Sequence, residues 1–233
     1  MRISVYVIFI LVILNCSALK SRDTLNVTVF ETSQQFRLRD SLKGDFIAIG
    51  KLESENLIVV KKILNKVTGK KIKDEKLVWA LKYENKYYVN LGYCDDISMN
   101  SYFIKLEIVG NYCMSALTKK MLEPQSAGST IGASAGAIGS LVGSYSDIVW
   151  GIKSQWKEPN SNIKCPILFI DLSEKEYRDY SRYRNESCRL KLLTKKDFQK
   201  IAKTKREHYK YTVLEIVNDV ETVKEIVQKM NEN

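Results

Sequence analysis

The chain is nearly empty of histidine. One imidazole, His208, in 233 residues leaves too little material for a His-rich metal site or imidazole-based catalysis. No CxxC pair is present, which leaves a zinc ribbon or a thioredoxin-like site without support. The P-loop, GxGxxG and HExxH signatures are all missing, and with them the familiar frames of nucleotide-binding enzymes and zinc proteases. The strongly apolar run at residues 3–14 has only twelve residues, short of the ~20 an ordinary bilayer span needs. What is present is ordinary for a folded soluble body: 45% hydrophobic and 27% charged residues, which excludes disordered and multi-span membrane classes. The balance is basic, 37 lysines and arginines against 27 acids.

That twelve-residue run, Ile3 to Leu14, follows Arg2 and has the length of a signal-peptide core. It leads into Ile13-Leu14-Asn15-Cys16. This tetrapeptide resembles the lipobox of bacterial lipoproteins, with Asn15 where Gly, Ala or Ser is usual. The resemblance implies that Cys16 is lipidated and becomes the first mature residue, anchoring the chain to a membrane at the cell envelope. The Lys-, Ile- and Asn-rich remainder resembles uncharacterised envelope lipoproteins of AT-rich bacteria. A second processing route stays open. Cleavage after Ala18 would release a soluble secreted chain beginning at Leu19, with Cys94, Cys113, Cys165 and Cys188 as an even set.

The mature chain reads as α+β. After a signal at 1–15 and a tether at 16–23, residues 24–122 form an antiparallel β-rich body, 123–151 a Gly/Ser/Ala-rich helix or connector, and 152–233 a mixed α/β body. Both bodies are near the small end for an independent core, which favours their packing as one unit. Strand signals cover Asn26–Phe30, Asp45–Ile49, Leu57–Leu64 and Tyr102–Val109, and Leu77–Leu91 reads as a hairpin turning at Glu84-Asn85-Lys86. An antiparallel meander is the economical arrangement. Pro166–Leu172 is a continuous apolar run, as in a strand covered on both faces. Ser173 with Glu176, and Thr194 with Asp197, give helix-start spacings. Tyr211–Val217 reads as a strand. Val220, Val223, Ile226, Val227 and Met230 stripe a closing helix.

Four features invite functional readings. Gly128, Gly132 and Gly136, then Gly139 and Gly143, repeat at four-residue spacing in a stretch without charge. A glycine zipper that inserts into a membrane or self-associates through 126–146 is one reading; a close-packed helix or a linker is the plainer one. Pairing by proximity joins Cys94 to Cys113 and Cys165 to Cys188, as an oxidising compartment would allow. Nine basic residues lie between Arg189 and Lys210. Lys195, Lys196, Lys200, Lys203, Lys205 and Arg206 there suggest a surface for anionic lipid or lipopolysaccharide, without base-reading nucleic-acid recognition. The aromatic groups Trp79, Tyr83, Tyr87, Tyr88 and Tyr177, Tyr180, Tyr183 are explained by packing more simply than by a ligand platform. Asp95, Asp96, Asp171, Glu174 and Glu176 sit in no catalytic frame. No cofactor and no metal is expected. The sequence therefore points to a non-catalytic exported lipoprotein with a structural or binding role.

Overall fold

A computed structural model describes residues 23–72, 78–94, 96, 101–118, 152–173, 190–204 and 218–232. The architecture is α+β and strand-rich, with eleven strands and three helices among the described residues. Strands β1 (Asp23–Phe30), β2 (Phe46–Ser54) and β3 (Leu57–Asn65) form one antiparallel meander. β4 (Ala80–Tyr83), β5 (Lys86–Asn90) and β6 (Tyr102–Lys105) form a second. The two do not continue as a single meander, as the sequence suggests. β4 returns beside β1 and β6 beside β3, closing a six-stranded barrel in the order β1-β2-β3-β6-β5-β4. The run β4-β1-β2-β3 is a Greek key. Closure gives the outer edges of both meanders a partner within the barrel.

Alternation along the strands sorts their side chains. Leu25, Val27 and Val29 of β1, Ile58 and Val60 of β3, Tyr88 of β5 and Phe103 of β6 fill the barrel interior. Val89 and Ile104 point the other way, into a second cluster shared with Leu168, Ile170 and Leu192. One residue of register therefore decides which core a side chain enters.

That second cluster lies between the barrel wall and an antiparallel sheet made of β7 (Tyr112–Ala116), β10 (Ile167–Asp171) and β11 (Lys191–Leu193), with β10 central. Ile167 and Phe169 face a third cluster, covered by α2 (Lys195–Thr204) and α3 (Val220–Glu232). The continuous apolar run of β10 thus serves two cores at once. Its four buried residues are each worth ~1.5–3 kcal/mol of burial. A small hairpin of β8 (Trp156–Lys157) and β9 (Lys164–Cys165) closes the same side. Trp156 is fully buried there and donates its indole N–H to the Leu193 carbonyl at 3.0 Å.

Local chemistry sets the ends of the helices. Thr194 Oγ1 accepts the Asp197 N–H at 3.1 Å while an Asp197 carboxylate oxygen accepts the Thr194 N–H, the reciprocal cap expected from the spacing. Asp219 caps α3 by accepting the Thr222 N–H at 2.8 Å. The predicted strand Tyr102–Val109 stops at Lys105. Beyond it the chain leaves the barrel, and Ile108 exchanges backbone bonds with Met114 to start β7. A short helix, α1 (Ser33–Leu38), was not expected. Thr32 caps it by accepting the Gln35 N–H, and Gln35 Oε1 accepts the Glu31 N–H at 2.8 Å.

Candidate functional site

β1 exchanges neighbours halfway along its length. Its ladder to β2 ends at Val27↔Phe46, and its ladder to β4 begins at Thr28↔Lys82. Beside Asn26 and Val27 the strand edge opens toward the β4–β5 turn. That turn is a two-residue loop with both φ angles positive, 47° at Glu84 and 61° at Asn85. The conformation matches the twist of a tight hairpin, and holding a glutamate there costs ~1–2 kcal/mol. A cleft of about 490 Å³ results. Val27 and Phe46 line its apolar part; Asn26, Thr28, Asp45, Lys66, Lys82, Glu84 and Asn85 make the rest polar. Gly44, at φ +124°, completes the wall.

Two cations and two carboxylates share this cleft, so it presents both signs and no net charge. Lys66 Nζ reaches Asn26 Oδ1 at 3.4 Å. Lys82 Nζ stands 5.6 Å from the centroid of the Tyr87 ring. The Arg39 guanidinium is 4.6 Å from the same centroid and 4.7 Å from that of Phe36. Such contacts are worth ~0.5–1 kcal/mol at an exposed site. Phe36, carried by α1, is fully buried against Trp79, Phe30 and Tyr87 at 5.0–5.4 Å between ring centroids. The cleft is within the size range of small-ligand sites but much more polar than most.

The residues singled out from the sequence fall elsewhere. Trp79 and Tyr88 are buried and Tyr83 and Tyr87 half-buried, as cross-strand packing requires. Asp96 accepts the Leu192 N–H at 2.9 Å and lies 3.5 Å from Lys153 Nζ, tying the barrel side to β11. Asp171 accepts the Ser173 N–H at 2.8 Å and shapes the turn after β10. Lys195 turns to Asn218 and lies 6.0 Å from the Trp156 ring centroid, whereas Lys196 and Lys200 are exposed. Lys203 falls within α2. Cys94 and Cys113 are buried in the cluster between barrel and sheet, and Cys165 in the one beneath the helices. Burial pushes the Cys165 thiol up to about 12, with Glu158 and Glu107 adding to the effect.

The leader with Cys16, the segment from Gly128 to Gly143, and Asp95, Glu174, Glu176, Tyr177, Tyr180, Tyr183, Cys188, Lys205, Arg206, His208 and Tyr211–Val217 lie outside the described residues. Among the described residues no helix is long and apolar enough to cross a membrane, and no three His, Cys, Asp or Glu side chains gather as metal ligands.

Sequence reasoning missed the cleft because its walls come from β1, the start of β2 and the β4–β5 turn. Thr32-Ser33-Gln34-Gln35 was a readable helix-start signal for α1. A barrel-on-sheet α+β protein with a polar cleft is the class these features define. Compared with known protein families, curated proteins and solved structures, the chain matches none.

Proposed function

We propose that this protein is a non-catalytic lipoprotein of the cell envelope, exported, anchored through Cys16, and given to a structural or binding role. The observation that carries the reading is the leader and its position. An apolar run of signal-peptide length ends in Ile-Leu-Asn-Cys, and only seven residues, 16–22, separate the start of the lipobox cysteine from the first barrel strand at Asp23. A short polar tether of this kind holds a folded body close to the membrane that anchors it. The cleft over β1 supports binding over chemistry. Its two carboxylates, Asp45 and Glu84, are exposed, and a tuned general acid or base is normally buried or paired.

Within this reading Lys196 and Lys200, with the other basic residues of 195–206, provide a surface for anionic lipid or lipopolysaccharide. An export route would allow the pairing Cys94–Cys113 and Cys165–Cys188; in the structure Cys94, Cys113 and Cys165 are present as thiols, and Cys113 Sγ donates to the Gly110 carbonyl. Mass spectrometry of the mature N-terminal peptide tests the reading. An acyl chain on Cys16 is the expected result; a mature chain that begins at Leu19 overturns the anchor and leaves a soluble secreted protein.

A further inference from the structure

The second half of β3 and the connection that leaves it carry a second basic surface, independent of the one around α2. From Leu57 to Ile72 there is no acidic residue, while Lys61, Lys62, Lys66, Lys70 and Lys71 supply five positive charges. All five are exposed. Val67 stands at the apex with 82% of its surface open, more than the other exposed large hydrophobic side chains among the described residues, Leu38, Ile152 and Ile163. The turn that presents it is held from within. Asn65 Oδ1 accepts the backbone N–H groups of Val67 at 3.0 Å and Thr68 at 2.9 Å, and the Thr68 hydroxyl at 3.1 Å. The Asn65 N–H donates to the Lys70 carbonyl at 2.8 Å, and Gly69 takes φ +66° to let the chain reverse. At the β2–β3 turn, by contrast, the charges include Glu53 and Glu55, already paired with Lys51 and Lys86.

We propose that residues 61–71 form a membrane-contact finger, which sets Val67 into an anionic lipid surface and its collar of lysines against the headgroups. An aliphatic apex ringed by flexible cations is what an interface of acyl chains and phosphates accepts. Each lysine brought to such a surface is worth roughly fivefold in partitioning. A nucleic-acid polymer fits less well, because the finger has neither an aromatic ring for stacking nor an arginine for bidentate phosphate contact. The inference deepens the envelope reading and rests on it for the presence of a nearby bilayer. Reach permits both contacts. Asp23 lies opposite Gly50, which pairs with Val60, five residues before Asn65 on β3, a distance of ~17 Å along a strand. The seven residues 16–22 extend to at most ~25 Å.

The test uses the full chain as purified from producing cells, with Val67→Trp as a local probe. Its emission in excess of wild type is measured on vesicles with brominated acyl chains, made of phosphatidylcholine alone or mixed with phosphatidylglycerol. Quenching of the extra emission on the anionic vesicles only, lost in a Lys66→Glu/Lys70→Glu background and lost at high salt, is the expected result. Absence of quenching on both vesicle types overturns the finger, as does equal quenching on both. A response to short duplex DNA without one to vesicles also overturns it, in favour of a polymer. The N-terminal mass reads the anchor separately. An acyl chain on Cys16 without quenching removes the finger and keeps the anchor, and quenching without an acyl chain does the reverse.

Discussion

The carboxamide of Asn231, in the last turn of α3, engages both backbone groups of Tyr112 at the start of β7. Its Oδ1 accepts the Tyr112 N–H and its Nδ2 donates to the Tyr112 carbonyl, each at 2.8 Å. The side chain acts as one more rung on the sheet and locks the C-terminal helix to it. Asn231→Leu should cost about 1–3 kcal/mol, two hydrogen bonds at ~0.5–1.5 each. Asn231→Asp, which retains only the acceptor, should fall between that variant and wild type. Gly110→Ala tests the same clamp from the other side, because a Cβ there would lie 2.4 Å from Asn231 Oδ1. Urea midpoints at unchanged slope are the measurement. A wild-type midpoint for Asn231→Leu would show that the clamp adds no stability.

Gly50 marks a different kind of constraint. It sits where the register of β2 against β3 shifts, and a Cβ on it would stand 2.1 Å from the Val59 carbonyl oxygen. That obstacle is backbone, so the barrel wall itself must move. Gly50→Ala should destabilise by about 1–3 kcal/mol or more. Gly69→Ala meets nothing within 4 Å but must hold φ +66°, and should cost only about 1–2 kcal/mol. Comparing the two denaturation midpoints separates collision from backbone strain. Equal losses would contradict the distinction.

Legibility in the sequence followed how local the governing interaction was. The strand at β10 was readable because Ile167–Ile170 are apolar without interruption, and α3 because Val220, Val223, Val227 and Met230 share one stripe. The Thr194–Asp197 cap was readable because its partners are three residues apart. Barrel closure was not, since Thr28↔Lys82 and Val59↔Tyr102 are long-range pairings that no window of sequence contains. The cleft depends on that closure and was invisible for the same reason. The lysines of 61–71 are in plain view beside the longer basic run at 189–210, and their count alone does not set them apart. Only the turn geometry around Asn65 shows Val67 at an exposed apex.

The Thr194–Asp197 cap makes a pH prediction. The Thr194 hydroxyl bonded to the Asp197 carboxylate holds that carboxyl below its usual range. Partial burial opposes the shift, while the Thr194 N–H, Lys153 and Lys200 assist it. A carboxyl with a depressed folded pKa contributes stability that is complete above its ordinary value near 4. The contribution fades as pH falls through the folded value. Thr194→Val should therefore lose about 1 kcal/mol at neutral pH, the usual worth of such a cap. The difference from wild type should shrink as the pH is lowered to about 2. Stability followed by urea unfolding across that range checks it, and a constant difference would remove the carboxylate from the explanation.

Tyr88 carries the opposite linkage at the alkaline end. Its hydroxyl donates to the Glu55 carbonyl at 2.9 Å. Burial, followed by the charges of Glu84, Tyr83 and Glu55, pushes the phenol from 10.0 to about 12. The folded protein then holds this proton more tightly than the unfolded chain does. The corresponding stability is complete below pH 10 and is lost between 10 and about 12, as the unfolded state releases the proton first and the folded state follows. Tyr88→Phe removes both the hydrogen bond and the titration. At neutral pH it should be less stable than wild type by about 0.5–1.5 kcal/mol. The deficit should narrow as pH rises past 10, because only wild type carries this alkaline penalty. Paired urea midpoints at neutral pH and near pH 11 measure both halves of the argument. A deficit that stays the same at the two pH values would mean that the phenol proton is not linked to folding and that Tyr88 acts through packing alone.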